Sequence, residues 1–302
     1  MDAASGTGIR AMTTKPVAMV LHGGAGVLAK KSYEREIAHM RGLVERGKTM
    51  LNDGASAMDV VEAIVYQLEI SGHYVAGKGS SPNTDGRYEL DAAIMDGDTR
   101  NAGAVAAMEG FVSPVHAARK VMEATPHVML AGWGANRLAE REGLEKVDTP
   151  EEYYVPAAVP DGRAYATGTV GCVALDVEGR LAAATSTGGT LNKTPGRVGD
   201  CPLIGAGTWA DQDVAISCTG QGEFFIRSLA AGTAAARIRY LHESPEEASR
   251  WALKDVKRLG GDGGIIAVGR DGQIATPYNS EGMKCAVLHA DGRITAGVKD
   301  LS

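Results

Sequence analysis

The sequence predicts an α+β protein with two stacked, mainly antiparallel sheets, and three observations lead to that prediction. Forty of the 302 residues are glycine, about twice ordinary usage, and many stand in clusters at the ends of apolar runs. Apolar residues alternate along much of the second half, as in half-buried strands, whereas the first half has stretches with helical spacing. Two groups of strands, each with helices around it, indicate stacked sheets with outer helical layers.

The first half predicts a short strand, two helices, a pair of strands and two further helices. The strand covers residues 17–21, the first two helices lie within 33–68 with a break near 54–58, the paired strands cover 89–96 and 102–108, and the later helices cover 114–123 and 128–141. Residues 145–166 carry acidic residues and prolines with little periodicity, so this stretch is predicted to be a loop or linker.

The second half predicts three hairpins and two amphipathic helices. The hairpins pair residues 169–176 with 180–187, 265–268 with 273–277, and 285–289 with 294–298. The helices cover 223–241 and 245–257. The second helix opens at Ser244, with Glu246 and Glu247 in its first turn.

Composition excludes several classes of protein. The net charge is −6 and no run of lysine or arginine stands out, which argues against a nucleic acid or an anionic membrane as partner. No stretch approaches the roughly 18 apolar residues of a membrane span. Residues 1–15 lack the apolar core of a signal peptide and are predicted to be disordered, so a cytoplasmic protein is expected. The four cysteines form no metal-binding spacing and are predicted to be small buried hydrophobes.

Four clusters of small and polar residues follow one another in the second half. They are Gly168-Thr169-Val170-Gly171, Thr185-Ser186-Thr187-Gly188-Gly189, Gly196-Arg197-Val198-Gly199-Asp200 and Ser217-Cys218-Thr219-Gly220-Gln221-Gly222. A threonine hydroxyl is a poor nucleophile unless a base lies beside it. Cutting the chain just before the threonine supplies such a base, because the freed α-amine can take the proton. Thr169 in the first cluster is therefore a candidate nucleophile.

In order and separation, these clusters resemble those of the plant-type asparaginase and isoaspartyl peptidase family of N-terminal nucleophile (Ntn) hydrolases. The resemblance runs from about residue 17 to 297 and also includes the glycine-rich stretch 21–26, the segment 89–97 and the motifs at 263–267 and 279–283. It implies one domain over residues 1–302 with the four-layer αββα sandwich of these hydrolases. It further implies self-cleavage between Gly168 and Thr169 into an α subunit (1–168) and a β subunit (169–302).

The resemblance also assigns roles within the site. Thr169 would be the nucleophile and Thr187 would hydrogen-bond it. Arg197 and Asp200 would hold the α-carboxylate and α-ammonium of an aspartyl unit, and Thr219 with Gly220 would stabilise the oxyanion. Gly222 would line the pocket. From the residues alone, a strand-forming threonine, a surface ion pair and a glycine-rich turn stay open as alternatives.

The expected activity is hydrolysis of β-aspartyl (isoaspartyl) dipeptides and of L-asparagine, with no cofactor for catalysis. Two alternatives stay open: a glycosylasparaginase-type amidase, and an uncleaved relative that only binds its ligand. The expected partners are small aspartyl substrates and a second copy of the processed α–β unit, giving a homodimer.

Two further features lie in the first half. The resemblance implies a structural sodium ion held by backbone carbonyls of the loop 68–78, namely those of Leu68, Glu69, Ser71, Tyr74, Ala76 and Lys78. In the same loop Val75 stands where the family usually has asparagine, a residue near the nucleophile's amine. His22 is a candidate general base by residue type. The resemblance instead gives that role to the threonine amine and leaves the glycine-rich loop to shape the surroundings.

Overall fold

The computed structural model describes residues 16–28, 31–157, 168–299 and 301. Its helices are α1 (Glu34–Asn52), α2 (Ala57–Ile70), α3 (Pro114–Ala124), α4 (Gly132–Arg141), α5 (Pro150–Tyr153), α6 (Gly222–Ser228), α7 (Ala230–Leu241) and α8 (Pro245–Arg258), with a 3₁₀ turn at Gly77–Gly79. Its strands are β1 (Ala18–His22), β2 (Leu90–Asp96), β3 (Ala102–Met108), β4 (Met129–Ala131), β5 (Val170–Leu175), β6 (Leu181–Thr187), β7 (Thr208–Ala210), β8 (Val214–Gly220), β9 (Gly263–Gly269), β10 (Ile274–Ala275), β11 (Cys285–Leu288) and β12 (Ile294–Gly297).

The strands form two sheets. The larger has eight strands in the order β12-β11-β1-β5-β6-β2-β3-β4, and the smaller has four in the order β10-β9-β8-β7. Every neighbouring pair is antiparallel except β3 and β4. The prediction of mainly antiparallel sheets is therefore confirmed.

Three apolar cores separate four layers. Met19, Ile64 and Val115 belong to the core that joins α1, α2 and α3 to the outer face of the large sheet. A second core lies between the two sheets, and a third joins the small sheet to α6, α7 and α8. The αββα sandwich that the resemblance implies is thus confirmed. None of the helices among the described residues is long and apolar enough to cross a bilayer.

Local chemistry explains where the best-predicted helices begin. At α8 the Ser244 hydroxyl accepts from the Glu247 N–H, while the Glu247 carboxylate accepts from the Ser244 N–H. This reciprocal pair satisfies two amide groups that a helix N-terminus leaves without partners. The Ser56 hydroxyl caps α2 in the same region of the chain where the sequence predicts a break between two helices.

Three predicted elements need correction, and two strands were missed. Residues 129–131, predicted as part of a helix, form β4, because they pair with β3 at the edge of the large sheet. The helix predicted over 223–241 is two helices, since Leu229 takes a left-handed conformation with φ of 47°. The predicted loop 145–166 contains the short helix α5, and its part from 158 onward lies outside the described residues, as do residues 1–15. The strands β7 and β8 were not predicted.

Candidate active site

The candidate site continues the row of side chains that fills the space between the sheets. Side chains alternate along a strand, so every second residue of β1, β5, β6 and β8 faces the opposite sheet. Toward one end this row is apolar, as with Val173 of β5 and Ala183 of β6. Toward the other end the same rows carry polar residues. They are His22, Thr169, Thr187, Ser217 and Thr219, all buried.

Thr169 and Thr187 meet at the polar end. The Thr169 hydroxyl donates to Thr187 Oγ1 across 3.2 Å. Thr187 Oγ1 also accepts from the Gly189 N–H at 3.1 Å and donates to the Val75 carbonyl at 3.5 Å. The Thr187 hydroxyl therefore donates its hydrogen to the Val75 carbonyl and accepts the hydrogen bond from Thr169. The predicted pairing of these two residues is present in the structure.

The Gly168–Thr169 peptide bond lies in a close-packed position. A Cβ built on Gly24 would lie 2.7 Å from the Gly168 Cα, and one built on Gly168 would lie 2.4 Å from a Val75 methyl. Glycine is thus required at 168 by the contact with Val75, and at 24 by the contact with Gly168. Val75 is itself buried. The side chain that stands in place of the family's asparagine therefore packs directly on the residue before Thr169.

Arg197 and Asp200 lie at the same pocket. Gly168, Thr169, Thr187, Gly189, Thr190, Arg197, Gly199, Asp200 and Gly220 line it. The Arg197 guanidinium pairs with the Glu223 carboxylate through Nε and Nη2, at 2.9 and 3.0 Å. A Cβ on Gly222 would lie 2.8 Å from Asp200 Oδ1 and 3.0 Å from Arg197 Nη2, so a side chain at position 222 would collide with both charged groups.

Asp200 carries the least compensated charge of the site. Its side chain is 3% exposed, and its Oδ2 has no hydrogen-bond partner among the described residues. Burial raises the pKa of this carboxyl to about 7, while the Arg197 charge acts in the opposite direction. Burying a carboxylate oxygen without a hydrogen-bond partner costs free energy. A cationic ligand that binds this oxygen lowers that cost.

Thr219 and Gly220 end strand β8 at the pocket that Thr169 lines. Gly220 lines the pocket, whereas the Thr219 hydroxyl accepts from the Ala25 N–H at 3.3 Å. That contact uses a lone pair and leaves the hydroxyl hydrogen available for donation. The glycine-rich loop after β1 thus reaches the site through the backbone of Ala25 as well as through Gly24.

Sequence reasoning missed several groups that hold the site together. The backbone of Val75 accepts from the Gly188 N–H at 2.8 Å as well as from Thr187, so the loop 68–78 supports the threonine pair. Glu223 orients Arg197 from the first turn of α6. Ser217 lies on the same face of β8 as Thr219, and the spacing of two residues is a signal that was available in the sequence.

The loop proposed for sodium supports the pocket through Val75, but none of its own residues lines the pocket. Several of its carbonyls already accept hydrogen bonds: Leu68 from the Ser71 hydroxyl, Tyr74 from the Ala76 N–H, Ala76 from the Gly79 N–H and Lys78 from the Val155 N–H. Each carbonyl oxygen has a second lone pair. Oxygen ligands of this kind suit a hard cation, so the donor set fits the ion that the resemblance implies.

Comparisons with known proteins agree with this picture. The sequence model of the asparaginase family matches residues 14–159 and 151–298. The isoaspartyl peptidase of Salmonella typhimurium is 44% identical over 306 residues, which cover 93% of this chain and 97% of that protein. The isoaspartyl peptidase/L-asparaginase of Homo sapiens is 38% identical over 301 residues, which cover 94% and 96% respectively.

Fold, site and relatives together define a hydrolase with two stacked sheets. The chain belongs to the asparaginase family. The family resemblance stated from the sequence is therefore confirmed.

Proposed function

We propose that this protein is a self-processing threonine hydrolase that cleaves β-aspartyl dipeptides and hydrolyses L-asparagine to L-aspartate and ammonia. One observation carries the proposal: the hydroxyl of Thr169, held by Thr187, lies in the same pocket as the half-buried Arg197 and an Asp200 oxygen that has no partner among the described residues. The names of the relatives, isoaspartyl peptidase and isoaspartyl peptidase/L-asparaginase, support the same substrates.

The two charged side chains match the two charged groups of an aspartyl unit. Arg197 would bind the α-carboxylate, since a guanidinium can donate two parallel hydrogen bonds to a carboxylate. Asp200 would bind the α-ammonium through the unpartnered Oδ2, which removes the cost of burying that oxygen. Both contacts hold the substrate by its α-carbon and leave the β-carbonyl to approach Thr169.

The proposed reaction then proceeds in two halves. The Thr169 hydroxyl oxygen attacks the β-carbonyl carbon while the free α-amine of Thr169 takes the hydroxyl proton. The Thr219 hydroxyl and the Gly220 N–H would donate to the oxyanion, a contribution of a few kcal/mol for each donor. The intermediate collapses to a β-aspartyl ester of Thr169, and the leaving amine or ammonia departs with the proton. Water then attacks the ester, which releases L-aspartate and restores Thr169.

Self-cleavage is a necessary part of this proposal, because Thr169 has no free amine while Gly168 precedes it. Gly24 and Val75 pack closely on Gly168 and so fix the backbone that precedes Thr169, which supports the assignment of the cleavage site. The mature enzyme would consist of an α subunit (1–168) and a β subunit (169–302).

A hydrolysis panel tests the function. Purified protein is incubated with a β-aspartyl dipeptide, L-asparagine and a glycosylasparagine, and the released aspartate is measured. We expect turnover of the first two substrates. A preference for the glycosylasparagine would favour the glycosylasparaginase alternative. Binding without turnover of any of the three would favour the uncleaved binding relative.

Three further expectations are proposals as well. We propose a structural sodium ion at the loop 68–78; replacing sodium by choline at equal ionic strength should then lower the midpoint of thermal unfolding.

We propose a homodimer of processed units, supported by the exposed Tyr240, Leu241 and Trp251 on α7 and α8 and tested by sedimentation. A cytoplasmic location is supported by Cys172, Cys201 and Cys218, which are buried and form no disulfide bond, as suits a reducing compartment.

A further inference from the structure

A buried row of polar side chains begins at the backbone of Thr169. The Thr169 carbonyl lies 3.1 Å from His22 Nδ1, and the other ring nitrogen, Nε2, lies 2.9 Å from the Ser217 hydroxyl oxygen. The imidazole therefore bridges the two sheets, since His22 ends β1 of the large sheet and Ser217 belongs to β8 of the small one. Neither His22 nor Ser217 has any exposed surface.

The row continues through two threonines. Ser217 Oγ lies 2.8 Å from the hydroxyl oxygen of Thr185, which accepts from the Thr208 hydroxyl at 2.7 Å. Thr208 also lies 3.0 Å from the carbonyl of Cys201, the residue after Asp200. The Thr208 hydroxyl has a single hydrogen, which it donates to Thr185, so the row of hydrogen bonds ends at Thr208, beside the Cys201 carbonyl.

The chemistry of the groups fixes the direction of these hydrogen bonds. A carbonyl only accepts, so His22 Nδ1 carries the hydrogen and donates to Thr169. In a neutral ring Nε2 must then accept, and Ser217 supplies its only hydroxyl hydrogen to it. Ser217 in turn accepts from Thr185. Burial lowers the pKa of His22 to about 3, and the charge of Lys284 acts in the same direction, so the ring is neutral at physiological pH.

The glycine two residues after the nucleophile makes room for this arrangement. A Cβ on Gly171 would lie 2.0 Å from Ser217 Oγ and 2.6 Å from His22 Nε2. Any side chain at position 171 would occupy the space of the hydrogen bond between them. The second glycine of the Gly168-Thr169-Val170-Gly171 cluster is thus explained by His22 and Ser217 rather than by a turn.

We propose that His22 is a positioning residue: it holds the Thr169 carbonyl through Nδ1–H, and Ser217 keeps the ring in that tautomer. The inference rests on the proposed function, in which Thr169 becomes a chain terminus after cleavage. A terminal residue has no preceding peptide to hold it. Two contacts then define its orientation, the Thr187 contact at the hydroxyl and the His22 contact at the carbonyl. Together they keep the nucleophile and its amine aimed at the substrate.

A matched pair of substitutions tests the role. The amide nitrogen of asparagine can occupy the place of Nδ1, whereas that of glutamine reaches the place of Nε2. His22→Asn should keep kcat for a β-aspartyl dipeptide within about threefold, while His22→Gln should lower kcat about tenfold or more, the scale of one lost hydrogen bond. KM should stay within about twofold in both, because His22 does not contact the substrate. Equal kcat in the two variants, with matching thermal midpoints, would overturn the proposal.

A measurement on the wild-type protein covers the case in which both variants fail to fold. Nitrogen-15 NMR of labelled histidine distinguishes the tautomers, and the Ser217→Ala variant identifies the His22 signals by their displacement. We expect hydrogen on Nδ1 only, unchanged between pH 5.5 and 8.5. A hydrogen on Nε2 only, or titration near pH 6.5, would overturn the proposal. The outcome is independent of the hydrolysis panel, so loss of the proposed function and loss of this inference are distinguishable.

Discussion

The space between the two sheets has an apolar end and a polar end, and both are built on the same strands. Val20, Val173 and Ala215 fill the apolar end, whereas residues two to four positions further along the same rows form the polar end. Backbone geometry is common to both ends, so the strands themselves do not distinguish core from site. The side-chain type alone makes that distinction, and the polar end requires a partner for each buried hydroxyl.

The two ends differ in what a substitution costs. At the apolar end each side chain contributes packing. A substitution that changes polarity or volume there should lower the stability of the fold. At the polar end Thr169, Thr187 and His22 contribute hydrogen bonds whose geometry serves the proposed reaction. A substitution there should reduce turnover, which a substitution at the apolar end should not. The following predictions test this difference, beginning with the largest expected effect.

Replacing the proposed nucleophile should have the largest effect. Thr169→Ala removes the hydroxyl that donates to Thr187, so we expect no self-cleavage and a loss of turnover by about 10⁴-fold or more. Gel analysis and a β-aspartyl dipeptide assay measure both. Thr169→Ser is the matched control, because it keeps hydroxyl and amine, and it should still cleave. Retained activity in the alanine variant would place the nucleophile elsewhere.

A reciprocal exchange of valine and threonine compares the two ends directly. Thr187→Val should lower kcat about 5- to 100-fold, the scale of one lost hydrogen bond in a buried site, and should also cost about 1–3 kcal/mol of unfolding free energy, because the buried Gly189 N–H loses its acceptor. Val173→Thr buries a hydroxyl at the apolar end and should cost about 1–3 kcal/mol of stability while leaving kcat nearly unchanged. Chemical denaturation and steady-state kinetics measure both quantities. If Val173→Thr lowered kcat as much as Thr187→Val, the distinction between the ends would fail.

The pH dependence of ligand binding should report on Asp200. Its pKa of about 7 implies that the ionised fraction rises from about one tenth at pH 6 to about nine tenths at pH 8. The inhibition constant of L-aspartate, which keeps one ionic form over this range, should therefore fall by about tenfold as the pH rises. In Asp200→Asn the inhibition constant of L-aspartate should be larger than in the wild type and independent of pH. A constant that rises with pH in the wild type would contradict this role.

The smallest expected effect concerns Val75, whose methyl groups contact Gly168. Val75→Asn places an amide of similar length beside the cleavage site and supplies a polar partner for the Thr169 amine. A hydrogen bond of this kind is worth about 1 kcal/mol, so self-cleavage or kcat should rise about five- to tenfold. The rate of two-band formation and kcat are the measurements, and Val75→Ala is the control. A variant no faster than wild type on either count would show that the valine is already compensated.

The sequence predicted those parts of the fold that local pattern determines. The capping residue Ser244 marks the start of α8, and the alternating runs around residues 177–179 predict the β5–β6 hairpin. The strand β4 was missed because three apolar residues have no period of their own, and only the pairing with β3 makes them a strand. The break at Leu229 was missed because neither glycine nor proline marks it, and the left-handed residue is a leucine.

The candidate site was predictable only in part, and not from local periodicity. The clusters at 168–171, 185–189, 196–200 and 217–222 identified its residues through the family resemblance. Contacts between distant segments were not predictable, because no local pattern encodes them. Val75 on Gly168 and His22 beneath the Thr169 carbonyl join residues about 93 and 147 positions apart, and only the folded sheets bring them together.

The central claim is that Thr169 acts through a free α-amine that the chain itself releases. Intact-mass measurement and N-terminal sequencing of the purified, active wild-type protein test it most directly. We predict two chains, the smaller beginning Thr-Val-Gly-Cys. A protein that hydrolyses a β-aspartyl dipeptide while every molecule remains a single uncut chain would contradict the claim.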